Sequence, residues 1–152
     1  MTLENLLAIH KLQRFEPSPD GVRRLLAAAE RNLTDANLTG LSAENRFDAA
    51  YKAIMQCAMV GLWANGYRTA TSQPGHHQTA LQLLPKTMGV DQGVAIVLDA
   101  LRKQRNLSDY EGDPVSDAVV AECIKQAAWL LEYTWRWLRG RHAELLGIGH
   151  ER

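Results

Sequence analysis

The sequence predicts an all-α protein, an up-and-down bundle of five to six helices without a sheet. Apolar residues recur at intervals of three and four along most of the 152 residues, and no segment alternates convincingly between apolar and polar side chains. Proline, glycine, serine and aspartate separate these stretches, where they can start or end helices. Hydrophobic residues make up 46% of the chain, enough for a core, so a disordered chain is excluded.

The N-terminal part, residues 1–40, is expected to hold two helices. Leucines within Leu3–Leu7 predict a short first helix, which the Pro-Ser-Pro sequence at 17–19 breaks. Ser18 is a suitable N-cap for the second helix, because Pro19 can occupy its first position without losing a hydrogen bond. That helix should end at Thr39-Gly40.

The central part, residues 42–139, is expected to form the core bundle. Its clearest amphipathic helix starts near Ser42 and ends around Asn65-Gly66. The residues of its apolar face are Phe47, Ala50, Tyr51, Ile54, Ala58, Gly61 and Leu62. A loop over 68–78 then leads into a helix that Pro85 ends or kinks.

Two further helices complete the expected bundle. The first follows Asp91 and carries Val94, Leu98 and Leu101 on one face. The second has a plausible cap at Asp113 and could run from residue 114 to about residue 140. Its expected inward face consists of Val120, Ile124, Ala127, Leu131, Trp135 and Leu138. Residues 140–152 are expected to be frayed.

Composition narrows the class of protein. Lys plus Arg (17) equals Asp plus Glu (17), which excludes a strongly basic coat for nucleic acid. Cys57 and Cys123 fit neither a metal spacing nor a disulfide framework, and this indicates reduced core residues of a cytoplasmic protein. No apolar run approaches the ~20 residues needed to cross a bilayer. We therefore expect a cytoplasmic protein without a signal peptide, membrane contact or cofactor.

The stretch LRKQRNLSDYEGDP, residues 101–114, raises a specific question. Extending the apolar stripe by four residues from Leu101 reaches Arg105, so this arginine should project from the core-facing side near the end of its helix. A buried guanidinium needs a carboxylate, carbonyl groups or a wet cleft. In one interpretation Arg105 caps the helix and pairs with Asp109 or Asp113, while Tyr110 packs under the turn. In the other, a polar cleft takes a phosphate or a nucleotide.

Four segments in this order and spacing resemble the HEPN superfamily of small helical bundles. They are SAENRFDAAYKAIMQCAMVGLWANGY, GHHQTALQLL, LRKQRNLSDYEGD and AVVAECIKQAAWLLEYTWRWL. The resemblance implies a HEPN-like bundle that commonly dimerises. It also implies a nucleotidyltransferase as a partner, as in two-gene toxin–antitoxin modules, and a nucleotide or RNA as a ligand.

Catalytic HEPN members carry an arginine, a polar residue and, after four to six intervening residues, a histidine that together serve metal-independent RNA cleavage. Arg105 and Asn106 match the first two positions, but Tyr110 stands at the position of the histidine. A tyrosine, with an ordinary pKa of about 10, is a poor base, though it can donate a hydrogen bond. The resemblance thus implies Arg105 and Tyr110 as catalytic candidates, and a ligand site that also includes Asn106 and Asp109.

His76 and His77 begin a predicted helix. Adjacent helical residues point in different directions, and no Asp, Glu or Cys follows at the right spacing, so we expect no metal site. One of the two could cap or pack the helix. Alternatively they belong to the ligand site, where one of them replaces the missing motif histidine beside Arg105.

The last helix has aromatic residues away from its predicted core face. Trp129 lies among charged residues, and Tyr133 and Trp137 lie along the neighbouring edge. Either the N-terminal helix, Leu3 to Leu12, covers them or a second subunit does. The predicted homodimer interface consists of Trp129, Tyr133, Arg136 and Trp137.

Three functions remain open from the sequence. The first is a non-catalytic HEPN-like protein that binds a nucleotide, an RNA or a protein partner. The second is a metal-independent ribonuclease that uses Arg105 and Tyr110. The third is an interaction module in which the stretch is structural. The missing motif histidine favours the first or the third, so the interpretation leans away from an enzyme.

Overall fold

Helices dominate the computed structural model, which describes residues 2–147. Helix accounts for 73% and strand for 4%, which confirms the predicted all-α bundle. The helices are α1 (Leu3–Ala8), α2 (Pro19–Ala36), α3 (Ala43–Ala64), α4 (His76–Gln82), α5 (Leu84–Thr87), α6 (Gln92–Glu111) and α7 (Asp117–Arg141). Seven helices are described instead of five to six, in part because residues 76–87 form two short helices. Pro85 lies in the first turn of α5, where its missing N–H costs nothing.

Helix α3 is the centre of the bundle. It packs against α2 and α7 and also meets α4, α5 and α6. Half of its residues are buried, including Phe47, Tyr51 and Ile54, as expected for a helix surrounded by others. Helix α3 therefore presents side chains to most of the fold, and the candidate site forms where one of its faces meets α4 and α6.

Serine and aspartate caps begin four helices. Ser18, Ser42 and Asp91 accept hydrogen bonds from backbone N–H groups of the first turn, as predicted for Ser18. Helices were also predicted to start near Ser42 and after Asp91, and they do. The predicted cap of the last helix at Asp113 is wrong, because Ser116 caps α7 instead. Helix α6 runs on to Glu111 and ends at Gly112, whose φ of 71° suits a glycine, so residues 113–115 serve as the connection.

A two-stranded antiparallel ribbon is the main departure from the predicted fold. Strand β1 (Leu12–Arg14) pairs with β2 (Tyr67–Thr69). Each strand has three residues, too few for alternation to be recognised in the sequence. Leu12 is buried in the ribbon, so the N-terminal helix ends at Ala8 and does not extend to residue 12.

Regular structure continues beyond residue 140, contrary to expectation. Helix α7 reaches Arg141, and a short 3₁₀ helix, Ala143–Leu146, packs against α2 and buries Leu145 and Leu146. The expectation of fraying from residue 140 is thus wrong as far as residue 147. Residues 148–152 lie outside the described residues.

The inward face of α7 is shifted from the predicted one. Trp135 is half-exposed and donates its indole N–H to Glu30 Oε1 over 3.1 Å. The buried positions are Val120, Cys123, Ala127, Leu130, Leu131, Thr134 and Leu138. Cys57 and Cys123 are free and buried, as predicted, and burial raises the pKa of each thiol to about 12.

Candidate functional site

Arg105 is the centre of a polar cluster between α3 and α6. Its Nε lies 3.1 Å from Asp109 Oδ2, one turn later on α6, and 3.3 Å from Asp48 Oδ1 on α3. The guanidinium carbon lies 5.1 Å from the centre of the Tyr51 ring, within cation–π range. The predicted pairing with Asp109 is confirmed. The side chain is 24% exposed, so it is anchored by the protein and still accessible to water.

Tyr51 connects Arg105 to His77. Its ring is buried, and its Oη lies 3.3 Å from His77 Nδ1 on α4. Burial raises the pKa of Tyr51 to about 12 against the opposing positive charges of Arg105 and Arg102, so the phenol keeps its proton. With the phenol as donor, the imidazole carries its proton on Nε2.

The environment of His77 favours its neutral form. Burial lowers its pKa first, and the positive charges of His76, Arg105 and Arg102 lower it further. The ring of His76 lies edge-on to it, with 4.6 Å between ring centres. At neutral pH His77 is thus an imidazole that can accept or donate a proton close to two arginines.

Every carboxylate of the cluster is already paired with a cation. Arg102 pairs with Asp99 at 2.8 Å, and Lys52 pairs with Asp48 at 3.2 Å. Lys103 also lies 3.8 Å from Asp99, so the three carboxylates Asp48, Asp99 and Asp109 are shared among four cations: Lys52, Arg102, Lys103 and Arg105. An anion that approaches Arg105 must therefore compete with carboxylates already in place.

Tyr110 lies away from this cluster. It is 84% exposed, so the expectation that it packs under the turn is wrong. Because α6 continues to Glu111, Tyr110 follows Arg105 by five helical residues and projects about 140° around the axis from it. Asn106 follows Arg105 directly and is half-buried. Tyr110 could reach a ligand at Arg105 only around the surface of α6.

Sequence reasoning missed the contributions of Asp48, Tyr51 and Arg102. Tyr51 was assigned to the apolar face of α3, which is correct for its ring. The available signal was its hydroxyl group, since a buried tyrosine normally needs a hydrogen-bond partner. The hydroxyl group indicates that a partner exists, but it does not identify that partner as His77, which lies 26 residues later.

The aromatic face of α7 is partly covered from within the chain. Tyr133 donates a 2.6 Å hydrogen bond to the carbonyl of Met88, and Trp137 lies against the ring of His142. The N-terminal helix, one of the two covers considered from the sequence, is not among these covering groups, since α1 packs against β1. Trp129 stacks on Tyr133 and is 39% exposed. Arg136 is exposed near Glu132, at 4.0 Å.

Neither a metal-binding cluster nor a membrane-spanning helix occurs within residues 2–147. No group of three or more His, Cys, Asp or Glu residues there could hold a metal ion. No helix in that range has the length and apolar character to span a membrane.

Comparison with known proteins identified no relative of this chain. No family model, no curated protein and no solved structure matches this chain.

Proposed function

We propose that this chain is a HEPN-like cytoplasmic protein that binds the phosphate of a nucleotide or RNA at Arg105 without cleaving it. The observation that carries the proposal is the guanidinium of Arg105, held over Tyr51 beside His77 and still reachable from water. Arginine suits phosphate because its planar group can donate several hydrogen bonds at once. The resemblance adds a nucleotidyltransferase as the protein partner, in a toxin–antitoxin type of module.

The existing ion pairs of Arg105 make weak binding the expectation. Asp109 is 42% exposed and can turn into water when a phosphate arrives, whereas Asp48 also holds Lys52. Part of the attraction to phosphate is spent on separating Arg105 from these carboxylates. Absence of cleavage follows from the same arrangement, because a paired Arg105 gives little extra stabilisation to the developing charge of a transition state.

Calorimetry with AMP and a short single-stranded RNA tests the proposal. A charge-assisted hydrogen bond contributes about 1.5–3 kcal/mol, so Arg105→Ala should weaken binding about tenfold or more. Arg24→Ala, at an exposed arginine of α2, is the matched control and should bind like the wild type. Equal binding by all three proteins would mean that Arg105 only joins α6 to α3 and does not bind the ligand. That outcome would favour the interaction module as the function.

A ribonuclease is the second candidate function, and the position of His77 favours it. A neutral imidazole can accept the proton of a 2′-hydroxyl while an arginine offsets charge on the phosphate. His77 then takes the role for which Tyr110 was considered. An RNA cleavage assay tests this candidate. Cleavage by the wild type that is lost in His77→Ala and Arg105→Ala but kept in His76→Ala would show that the protein is a ribonuclease and that the non-catalytic proposal is wrong. No cleavage by the wild type would remove this candidate.

The assembly we propose is a homodimer through α7. Trp129, stacked on Tyr133, presents an exposed indole beside Arg136. Indole and guanidinium groups are enriched at the centres of interfaces. The coverage of Tyr133 and Trp137 by the chain itself leaves Trp129 as the side chain on which this proposal depends.

A further inference from the structure

A groove adjoins the Arg105 cluster without belonging to it. It has a volume of about 530 Å³, in the range of small-molecule sites, and lies among α1, α4, α5 and α6. Asp99 lines the groove and also pairs with Arg102, so the two features are neighbours along α6.

The wall of the groove is aliphatic. Leu6, Leu83 and Ala95 are buried residues of the core whose surfaces reach the groove. Ile96 is 64% exposed there, although an isoleucine gains most by burial. None of the described residues that line the groove carries an aromatic ring. The groove therefore suits an alkyl chain and lacks the stacking surface that a nucleobase would use.

Three lysines from separate elements meet at this groove. Lys11 precedes β1, Lys86 lies on α5 and Lys103 on α6. Asp99 is the acidic residue of the lining, and its closer partner is Arg102 at 2.8 Å, against 3.8 Å for Lys103. The groove thus carries a local excess of positive charge in a chain of zero net charge. The complementary ligand is an anion with an aliphatic body.

We propose that this groove binds a free aliphatic carboxylate, with its chain against Leu6, Leu83 and Ile96 and its carboxylate among the lysines. Burial of the chain supplies the main driving force, since each CH₂ removed from water is favourable. The lysines select the charged head, because an ammonium group acts as a point charge that needs no bidentate geometry. The site is independent of phosphate binding at Arg105.

Calorimetry with dodecanoate and dodecanol separates the contribution of the charged head group to binding from that of the alkyl chain. The wild type should bind dodecanoate more tightly than dodecanol. Replacing Lys11, Lys86 and Lys103 together by glutamine should weaken dodecanoate binding about tenfold, the effect expected from removing three partly solvated charges, and leave dodecanol unchanged. The control with equal loss of charge replaces Lys125, Arg139 and Arg141 of α7 by glutamine, and it should bind like the wild type.

A second variant tests the location. Ala100→Trp places a large ring at the exposed part of the lining and should abolish dodecanoate binding, whereas Ala121→Trp on the exposed side of α7 should not. Arg105→Ala should bind dodecanoate normally, so failure of the phosphate proposal is distinguishable from failure of this one. Equal loss in both lysine and control variants, unchanged binding in Ala100→Trp, or binding to phosphatidylglycerol vesicles without uptake of free dodecanoate would each overturn the proposal.

Discussion

The guanidinium of Arg105 lies over the ring of Tyr51, with 5.1 Å between the guanidinium carbon and the ring centre. The hydroxyl of the same tyrosine meets His77 at 3.3 Å. One buried side chain of α3 therefore contacts a cation on α6 and an imidazole on α4. The arrangement makes Tyr51 a structural link between three helices and the support of the candidate site.

Truncation of Tyr51 should separate its two roles. Tyr51→Phe keeps the ring beneath Arg105 and removes the partner of His77, so we expect a loss of about 1 kcal/mol in unfolding free energy. Tyr51→Ala removes a fully buried ring from the core and should cost about 3–5 kcal/mol. Urea unfolding measures both. Equal costs would mean that the ring contributes nothing beyond its hydroxyl.

The lowered pKa of His77 makes stability depend on pH. In the unfolded chain this histidine binds its proton around its ordinary pKa of 6.5, whereas in the folded protein it does so only at lower pH. Near pH 6.5 and below, the unfolded state thus binds more protons, and stability falls on acidification. The contribution of His77 is complete above pH 6.5 and is lost as the pH falls through its folded value.

Unfolding measured from pH 8 to pH 5 checks this dependence. His77→Gln, which cannot titrate, should show a shallower loss of stability on acidification than the wild type. His10→Asn is the control, because His10 occupies an exposed position with a φ of 64° that asparagine also tolerates. If His77→Gln keeps the full pH slope of the wild type, another group is responsible.

Gly61 should resist the substitution that usually stabilises a helix. A Cβ at this position of α3 would lie 3.0 Å from Met88 Cγ and 3.1 Å from Thr87 Oγ1. Alanine is favoured over glycine in a helix by about 1 kcal/mol, but overpacking of a core costs about 1–3 kcal/mol. We expect Gly61→Ala to destabilise the protein by about 1 kcal/mol.

Gly140 provides the matched control on α7. Nothing lies within 4 Å of a Cβ built there, so Gly140→Ala should stabilise the protein by about 0.5–1 kcal/mol. Thermal unfolding of the two variants should give melting temperatures that move in opposite directions. A gain in both would show that Met88 yields without cost.

The sequence was sufficient for local features of this molecule and insufficient for the candidate site. Ser18 was predicted as a cap, and Ser42 as the start of its helix, because capping is decided within three residues. The Arg105–Asp109 pair was predictable for the same reason, as its members are one helical turn apart. Asp48 lies 57 residues before Arg105, so helix packing determines that contact. Tyr110 was misplaced because the end of α6 was assigned too early, before Glu111.

The dimer proposal depends on Trp129. Trp129→Glu should give a folded monomer in light scattering, because a buried aromatic anchor often contributes about 2 kcal/mol or more and a buried charge opposes association. Leu107→Glu replaces a side chain of similar exposure, 40%, on α6 and should leave the dimer intact. A wild-type monomer, or a dimer unaffected by Trp129→Glu, would remove this face from the interface.

Removal of a competing carboxylate should strengthen the binding that loss of Arg105 weakens. Asp109 contacts the Arg105 Nε at 3.1 Å, and Asp109→Asn keeps its shape without its negative charge. A phosphate then meets an arginine with one fewer carboxylate nearby, so affinity for AMP should rise about threefold, a gain of roughly 0.7 kcal/mol, in the range of a partly exposed ion pair. Asp113→Asn removes an equal charge from the connection after α6 and should change affinity less. The gain should shrink with added salt, since the affected charges are partly exposed. Calorimetry at low and high salt measures both effects. If Asp109→Asn weakens binding instead, the carboxylate holds Arg105 in its binding geometry, and the competition proposed between Asp109 and the ligand is wrong.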